Sequence, residues 1–174
     1  MDLFLTQSIV NLRGSGGAVI SLFITHLGDV LSITILSVIL MLWLVLRLRL
    51  VQAIIFSAGM IFSGLFTQFL KLSFSRPRPD FFSSLPQDGF SFPSGHALGT
   101  IVFFGFLLFI ILENNYRQWI KSVFKIALPL LILAIGFSRV YLGTHWISDV
   151  FAGWLIGGLI LILMIKLVKY TEQA

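Results

Sequence analysis

Five stretches of this sequence stay apolar for roughly 20 residues each, near 28–47, 51–72, 94–113, 119–140 and 146–168. A helix of about that length crosses the hydrocarbon core of a bilayer, roughly 30 Å thick. In hydrocarbon a chain must satisfy its own backbone hydrogen bonds, so apolar runs of this length are read as helices. The chain is therefore expected to be an all-α integral membrane protein with about five transmembrane helices, forming one membrane-embedded domain over residues 1–174. Composition agrees: 57% of residues are hydrophobic and 11% charged, against about half and about a quarter in soluble domains. The net charge of +5 does not point to nucleic acid, because most of the charges lie at the ends of apolar runs. The absence of cysteine excludes disulfides and thiolate metal sites.

The N-terminal stretch LFLTQSIVNLRGSGGAVISLFI is apolar but is broken by Arg13 and a GSGG sequence. Residues 1–26 are expected to form an interfacial helix rather than a sixth span. The opening MDLFL has neither the basic start nor the cleavage site of a signal peptide, so none is expected.

Orientation follows from the loops. Arg47 and Arg49, then Arg117, Lys121 and Lys125, then Lys166 and Lys169 fall on one side of alternating spans. An excess of Lys and Arg marks the cytoplasmic side. Arg13, Lys71, Arg76, Arg78 and Arg139 fall on the other side. They share it with the loop 73–93, within KLSFSRPRPDFFSSLPQDGFSFPSGH, and with SRVYLGTHWISDV, Ser138 to Val150. Topology brings the end of the second span, the start of the third, and the turn between the fourth and fifth to one face. Lys71, Arg78, His96, Arg139, His145 and Asp149 can therefore converge. Ionisable residues are costly in a span, about 2.5–3.5 kcal/mol on an insertion scale, and those retained are candidates for function.

The residue types suit phosphoryl chemistry. His145 and Asp149 are four apart and share a helical face. A carboxylate there can hold one ring proton and leave the other nitrogen as a nucleophile. His96 at a helix start can act as acid and base, and the backbone N–H groups of Ser94 and Gly95 beside it form an anion site. Lys71, Arg78 and Arg139 supply the positive charge a phosphoryl group needs in transfer. A metal site is disfavoured, because three cations around one pocket would repel a divalent ion. Simpler roles are assigned to the remaining polar residues. Arg76, like Arg78, could bind lipid headgroups, and His26 and Asp29 in THLGD read as structural. Arg139 with Asp149 could also be a plain ion pair.

Three patterns stand in order: K-x6-R-P from Lys71 to Pro79, P-S-G-H from Pro93 to His96, and S-R-x5-H-x3-D from Ser138 to Asp149. In these the chain resembles the type-2 phosphatidic acid phosphatase superfamily, over roughly residues 26–160 and most closely its small bacterial members. The resemblance implies a helical-bundle core like that of vanadium haloperoxidases and a phosphatase that needs no metal or other cofactor. It implies His145 as the nucleophile forming a phosphohistidine, Asp149 as its orienting carboxylate, and His96 as general acid and then base. Lys71, Arg78, Ser94, Gly95 and Arg139 are implied to hold phosphate.

The expected function is hydrolysis of a phosphomonoester or diphosphate on a membrane lipid, at the extracytoplasmic face of a bacterial inner membrane. Undecaprenyl diphosphate and phosphatidylglycerophosphate rank ahead of lipid A 1-phosphate and phosphatidic acid. The partners expected are the lipid substrate and the bilayer, with no nucleic acid and no obligatory protein. The alternatives are a vanadate-dependent haloperoxidase and a catalytically dead lipid-binding or transport protein. Transport sites lie near the midplane on broken helices, whereas these polar residues lie at span ends.

Overall fold

The computed structural model describes residues 2–79 and 88–173, and every regular element among them is a helix. In chain order these are α1 (Asp2–Asn11), α2 (Ser15–His26), α3 (Val30–Leu46), α4 (Leu50–Phe74), α5 (Gly95–Glu113), α6 (Gln118–Tyr141) and α7 (Ile147–Gln173). Residues 80–87 of the expected 73–93 loop lie outside the described residues.

Four helices, α4 to α7, are long and apolar enough to cross a membrane. The first expected span corresponds to α3, whose 17 residues fall just below that length. At 1.5 Å per residue it rises about 26 Å, a few ångströms less than the hydrocarbon core. The N-terminal segment is two helices rather than one: α1 and α2 meet at a bend of 114°, and together they have the length and hydropathy of a broken span or a re-entrant loop. The elbow is held by polar contacts with the end of α6. Arg13 Nη1 donates to the Leu142 carbonyl at 3.4 Å, and the Gly14 N–H donates to the Tyr141 hydroxyl at 3.1 Å.

The outer surface is rich in exposed leucine, isoleucine and phenylalanine along α3, α4, α6 and α7, which suits a solvent that is itself apolar. The chain is a multi-span membrane protein. Its centre is α5, which packs against α3, α4, α6 and α7 and is apolar on every face, as expected of a helix surrounded by others. Phe103, Phe106 and Ile110 of α5 are buried with Phe56 of α4 and Ile135 of α6.

The closest approach is between α5 and α7. A side chain at Gly153 would place its Cβ 2.7 Å from the Ser94 carbonyl oxygen, and one at Gly157 would lie 2.8 Å from the Leu98 carbonyl oxygen. Small residues four apart let two helix backbones meet in this way inside a membrane. The Ser94 N–H then donates to the Asp149 carbonyl at 3.0 Å, fastening the start of α5 to the first turn of α7.

Candidate active site

Local stop signals bring the polar residues to one end of the bundle. α4 ends at Ser75, a left-handed cap with φ 45°. The Arg-Pro-Arg-Pro sequence that follows keeps the chain extended, since proline disfavours helix both at itself and at the residue before it. That segment is pinned along its length. The Ser91 N–H donates to the Arg76 carbonyl at 2.9 Å, and both Ser91 Oγ (3.0 Å) and Trp146 Nε1 (2.9 Å) donate to the Pro77 carbonyl.

α6 ends in a Schellman turn. Gly143 takes φ 72°, its N–H donates to the Val140 carbonyl, and the Thr144 N–H reaches back to the Arg139 carbonyl at 3.0 Å. Glycine tolerates this left-handed position without strain. The turn delivers His145 beneath the α4 end, one residue before Trp146 leads into α7.

Arg78 crosses to His145, its Nη1 3.3 Å from His145 Nε2 and 2.9 Å from the Thr144 carbonyl. A guanidinium only donates, so Nε2 is the acceptor and the ring proton is on Nδ1. Nδ1 faces Asp149 Oδ2 at 3.5 Å, and it is buried without a hydrogen-bond partner. The His145–Asp149 pair expected from the sequence is therefore adjacent but not closed.

Asp149 is fully buried, and other donors hold it: Arg76 Nη1 on Oδ1 at 2.6 Å and the Trp146 N–H on Oδ2 at 3.0 Å. A buried carboxylate needs such partners, because desolvating an unpaired charge is costly. Arg76 is thus not a lipid-headgroup contact. It also binds Ser148 Oγ and Asp2 Oδ2, and it stacks on the Trp146 ring. Nor does Arg139 pair with Asp149: its Nη1 donates to Thr25 Oγ1 at 2.7 Å. The only sequence signal for Arg76 is that a buried carboxylate at 149 must have a cationic partner.

At the start of α5, Ser94 is the N-cap, its hydroxyl accepting from the Ala97 N–H at 3.5 Å. The Ser94 N–H was expected to point outward to an anion. It is committed to the Asp149 carbonyl, because the tight α5–α7 pairing leaves it facing α7. His96, in the first turn of α5, places Nε2 2.7 Å from Asp29 Oδ1. Sequence reasoning assigned Asp29 and His26 a structural role and missed this contact.

The walls of one cavity, about 450 Å³, include Lys71, Arg78, Gly95, His96, Arg139 and His145. Lys71 Nζ donates to the Phe90 carbonyl there. Away from these groups the walls become apolar, with Val30, Ile33 and Met60 between α3 and α4. A second hollow of about 330 Å³ shares Ile33, Thr34 and Met60 and continues along the same two helices toward Val38, Met41 and Ile61. The space can take a phosphate at one end and hydrocarbon along its length. Burial, and next the positive fields of Arg139, Arg78 and Lys71, push the His145 ring well below the usual histidine range.

Lowering the pKa favours the neutral, nucleophilic form, and protonation is deferred to more acid solution. In the substrate-free protein His145 should stay neutral at pH ~6, where an ordinary histidine, pKa about 6.5, is mostly protonated. Nitrogen chemical shifts of labelled histidine measure this, and titration of His145 at or above 6.5 would contradict it.

A family model described as the PAP2 superfamily matches residues 52–173. Phosphatidylglycerophosphatase B of Bacillus subtilis is 31% identical over 103 residues, covering 59% of this chain and 50% of that protein. Undecaprenyl-diphosphatase of Sulfolobus acidocaldarius is 36% identical over 89 residues, 48% of this chain and 39% of that protein. The chain thus spans about half the length, or less, of these two relatives. The crystal structure of a transmembrane PAP2-type phosphatidylglycerolphosphate phosphatase from Bacillus subtilis superposes with a TM-score of 0.87 at 26% identity, over 99% of this chain and 84% of that one. With a matched family model over most of its length, and a superposition over nearly all of it, the chain belongs to the PAP2 superfamily.

Proposed function

We propose that this protein is a lipid phosphatase that hydrolyses a phosphomonoester or diphosphate on a membrane lipid through a phosphohistidine on His145. The observation that carries this reading is the His145 ring itself: neutral, with Nε2 as an acceptor, on the wall of a cavity that also holds Lys71, Arg78 and Arg139. When a phosphoryl group enters, its oxygens draw Arg78 from Nε2, and the nucleophile is exposed where the charge is stabilised. An N–P bond forms at Nε2 as the P–O bond to the lipid breaks, and His96 gives its proton to the leaving oxygen. His96 then takes a proton from water, which attacks phosphorus, breaks the N–P bond and releases phosphate. The imidazolium character that develops on His145 draws its Nδ1–H toward Asp149, whose position Arg76 and Trp146 fix. Gly95 and the three cations hold the phosphate, while Ser94 shapes the turn as the cap.

The apolar continuation between α3 and α4 supports a substrate whose tail lies in the bilayer. The named activities of the relatives favour phosphatidylglycerophosphate and undecaprenyl diphosphate over lipid A 1-phosphate and phosphatidic acid. Three cations at the phosphate site leave no need for a divalent ion. In detergent with EDTA present, purified protein should release phosphate from at least one of these four lipids, the first two fastest, and vanadate should inhibit. Loss of activity in EDTA that magnesium or zinc restores, or no release from any of them, would contradict the proposal.

The distribution of Lys and Arg supports a site on the extracytoplasmic face of a bacterial inner membrane. Cysteine replacing Asp88, which is exposed on the site side, should react with an impermeant thiol reagent in intact cells. Cysteine replacing Ser122, exposed at the opposite end near the start of α6, should react only after lysis. The reverse pattern would invert the orientation.

A further inference from the structure

Asp29 is the N-cap residue of α3, yet its side chain makes no capping hydrogen bond. Aspartate is favoured at that position because its carboxylate accepts from an N–H of the first helical turn. Both oxygens of Asp29 are spent elsewhere. Oδ1 lies 2.7 Å from His96 Nε2, and Oδ2 lies 2.7 Å from Nδ1 of the exposed His26. The hydrogen bond from His96 lowers the Asp29 carboxyl to about 2 against the opposing effect of burial, so the carboxylate is ionised and can only accept. His96 Nε2 therefore carries a proton, and Nδ1 is the nitrogen left for the cavity that the ring lines.

The turn is shaped for this approach. A Cβ on Gly28 would lie 3.1 Å from His96 Cδ2 and 3.2 Å from Thr100 Cγ2, so glycine lets the α2–α3 connection press against the first turns of α5. One turn earlier in α2, Thr25 accepts from Arg139. Among the described residues, the other charged or titratable groups on the cavity wall are Arg139 from α6, Arg78 from the extended segment, Lys71 from α4 and His145. Arg139 and Arg78 oppose a positive charge on His96, and the Asp29 carboxylate in contact with its ring favours one.

We propose that Asp29 is the positioning residue for His96: its carboxylate turns Nε2–H away from the substrate, presents Nδ1 to the leaving oxygen, and stabilises the imidazolium that donates the proton. This rests on the reading of His96 as the proton donor. It adds a residue that lies outside the three motifs and outside the matched residues 52–173.

The test compares two substrates, a lipid phosphate with a poor leaving group and p-nitrophenyl phosphate, whose leaving group scarcely needs a proton. Asparagine caps a helix as well as aspartate does, so Asp29→Asn removes the charge and leaves the start of α3 intact. Asp29→Asn should lower kcat on the lipid phosphate by roughly 10- to 100-fold, less than the ~10²–10⁴-fold a whole general acid supplies. It should change KM little, affect the nitrophenyl substrate much less, and move the basic limb of the pH profile to lower pH. In a His96→Ala background it should add nothing. Equal losses on both substrates, additivity with His96→Ala, or unchanged activity would overturn the inference.

The His96→Ala single variant separates the two claims. If its own loss does not depend on the leaving group, the proton-donor reading fails and the inference fails with it. If that loss does depend on it while the Asp29→Asn loss does not, only the inference fails. Thermal unfolding in detergent checks that the variants fold. Should Asp29→Asn not fold, Asp29→Glu, which keeps the charge on a longer arm, should show a smaller loss again confined to the lipid phosphate, and a loss shared by both substrates would overturn the inference.

Discussion

The backbone contact between α5 and α7 is the constraint on which the site depends. Gly153 and Gly157 allow the two helices to touch at Ser94 and Leu98, and the Ser94 N–H closes on the Asp149 carbonyl. That contact brings together the starts of two helices far apart in sequence, one carrying His96 and the other following His145. A methyl group at either glycine would separate them, and an active-site geometry tolerates displacements of much less than a carbon diameter. The arrangement of the polar residues at one end of the bundle thus rests on close packing between its helices.

Around this contact the protein solves an electrostatic problem. Lys71, Arg78 and Arg139 line one cavity, and cations held together without anions repel. Among their partners are neutral oxygens of the protein, the carbonyls of Phe90, Gly89 and Thr144 and the Thr25 hydroxyl. Such partners position the side chains without themselves cancelling charge. The buried carboxylate beside them is paired: Asp149 accepts from Arg76, which Ser148 and Asp2 hold in turn, so the Asp149 charge lies next to His145 with a cation on its other side. Each of the two histidines on the cavity wall thus has a carboxylate beside it, Asp149 for His145 and Asp29 for His96.

Much of this was legible in the sequence. Hydrophobic run length located α4 to α7 to within a few residues, because the bilayer fixes how long a spanning helix must be. The three motifs identified the cavity residues, because ionisable groups stand out against hydrocarbon. What escaped detection depends on tertiary contact. Arg76 and Arg78 stand two apart in the same Arg-Pro repeat, and nothing local says that one reaches Asp149 while the other reaches His145. Asp29 resembles an ordinary helix cap until the α2–α3 turn is seen against α5. The 114° elbow at Arg13 and Gly14 was read as an interruption in a surface helix, because its contacts with Tyr141 and Leu142 come from the far end of the chain. The Ser94 N–H looked free because a helix start exposes its donors by default, and only the α7 backbone claims it.

The central claim is that His145, and not His96, bonds to phosphorus. Rapid acid-sparing quench of the enzyme with p-nitrophenyl phosphate carrying labelled phosphorus, whose leaving group scarcely needs a proton from His96, measures this directly. His96→Ala retains the nucleophile but lacks the base for the second step, so an acid-labile, base-stable phosphoprotein should accumulate in that variant, with the label on the peptide containing His145. His145→Ala should form no such adduct. An adduct that persists in His145→Ala and disappears in His96→Ala would contradict the account and exchange the roles of the two histidines.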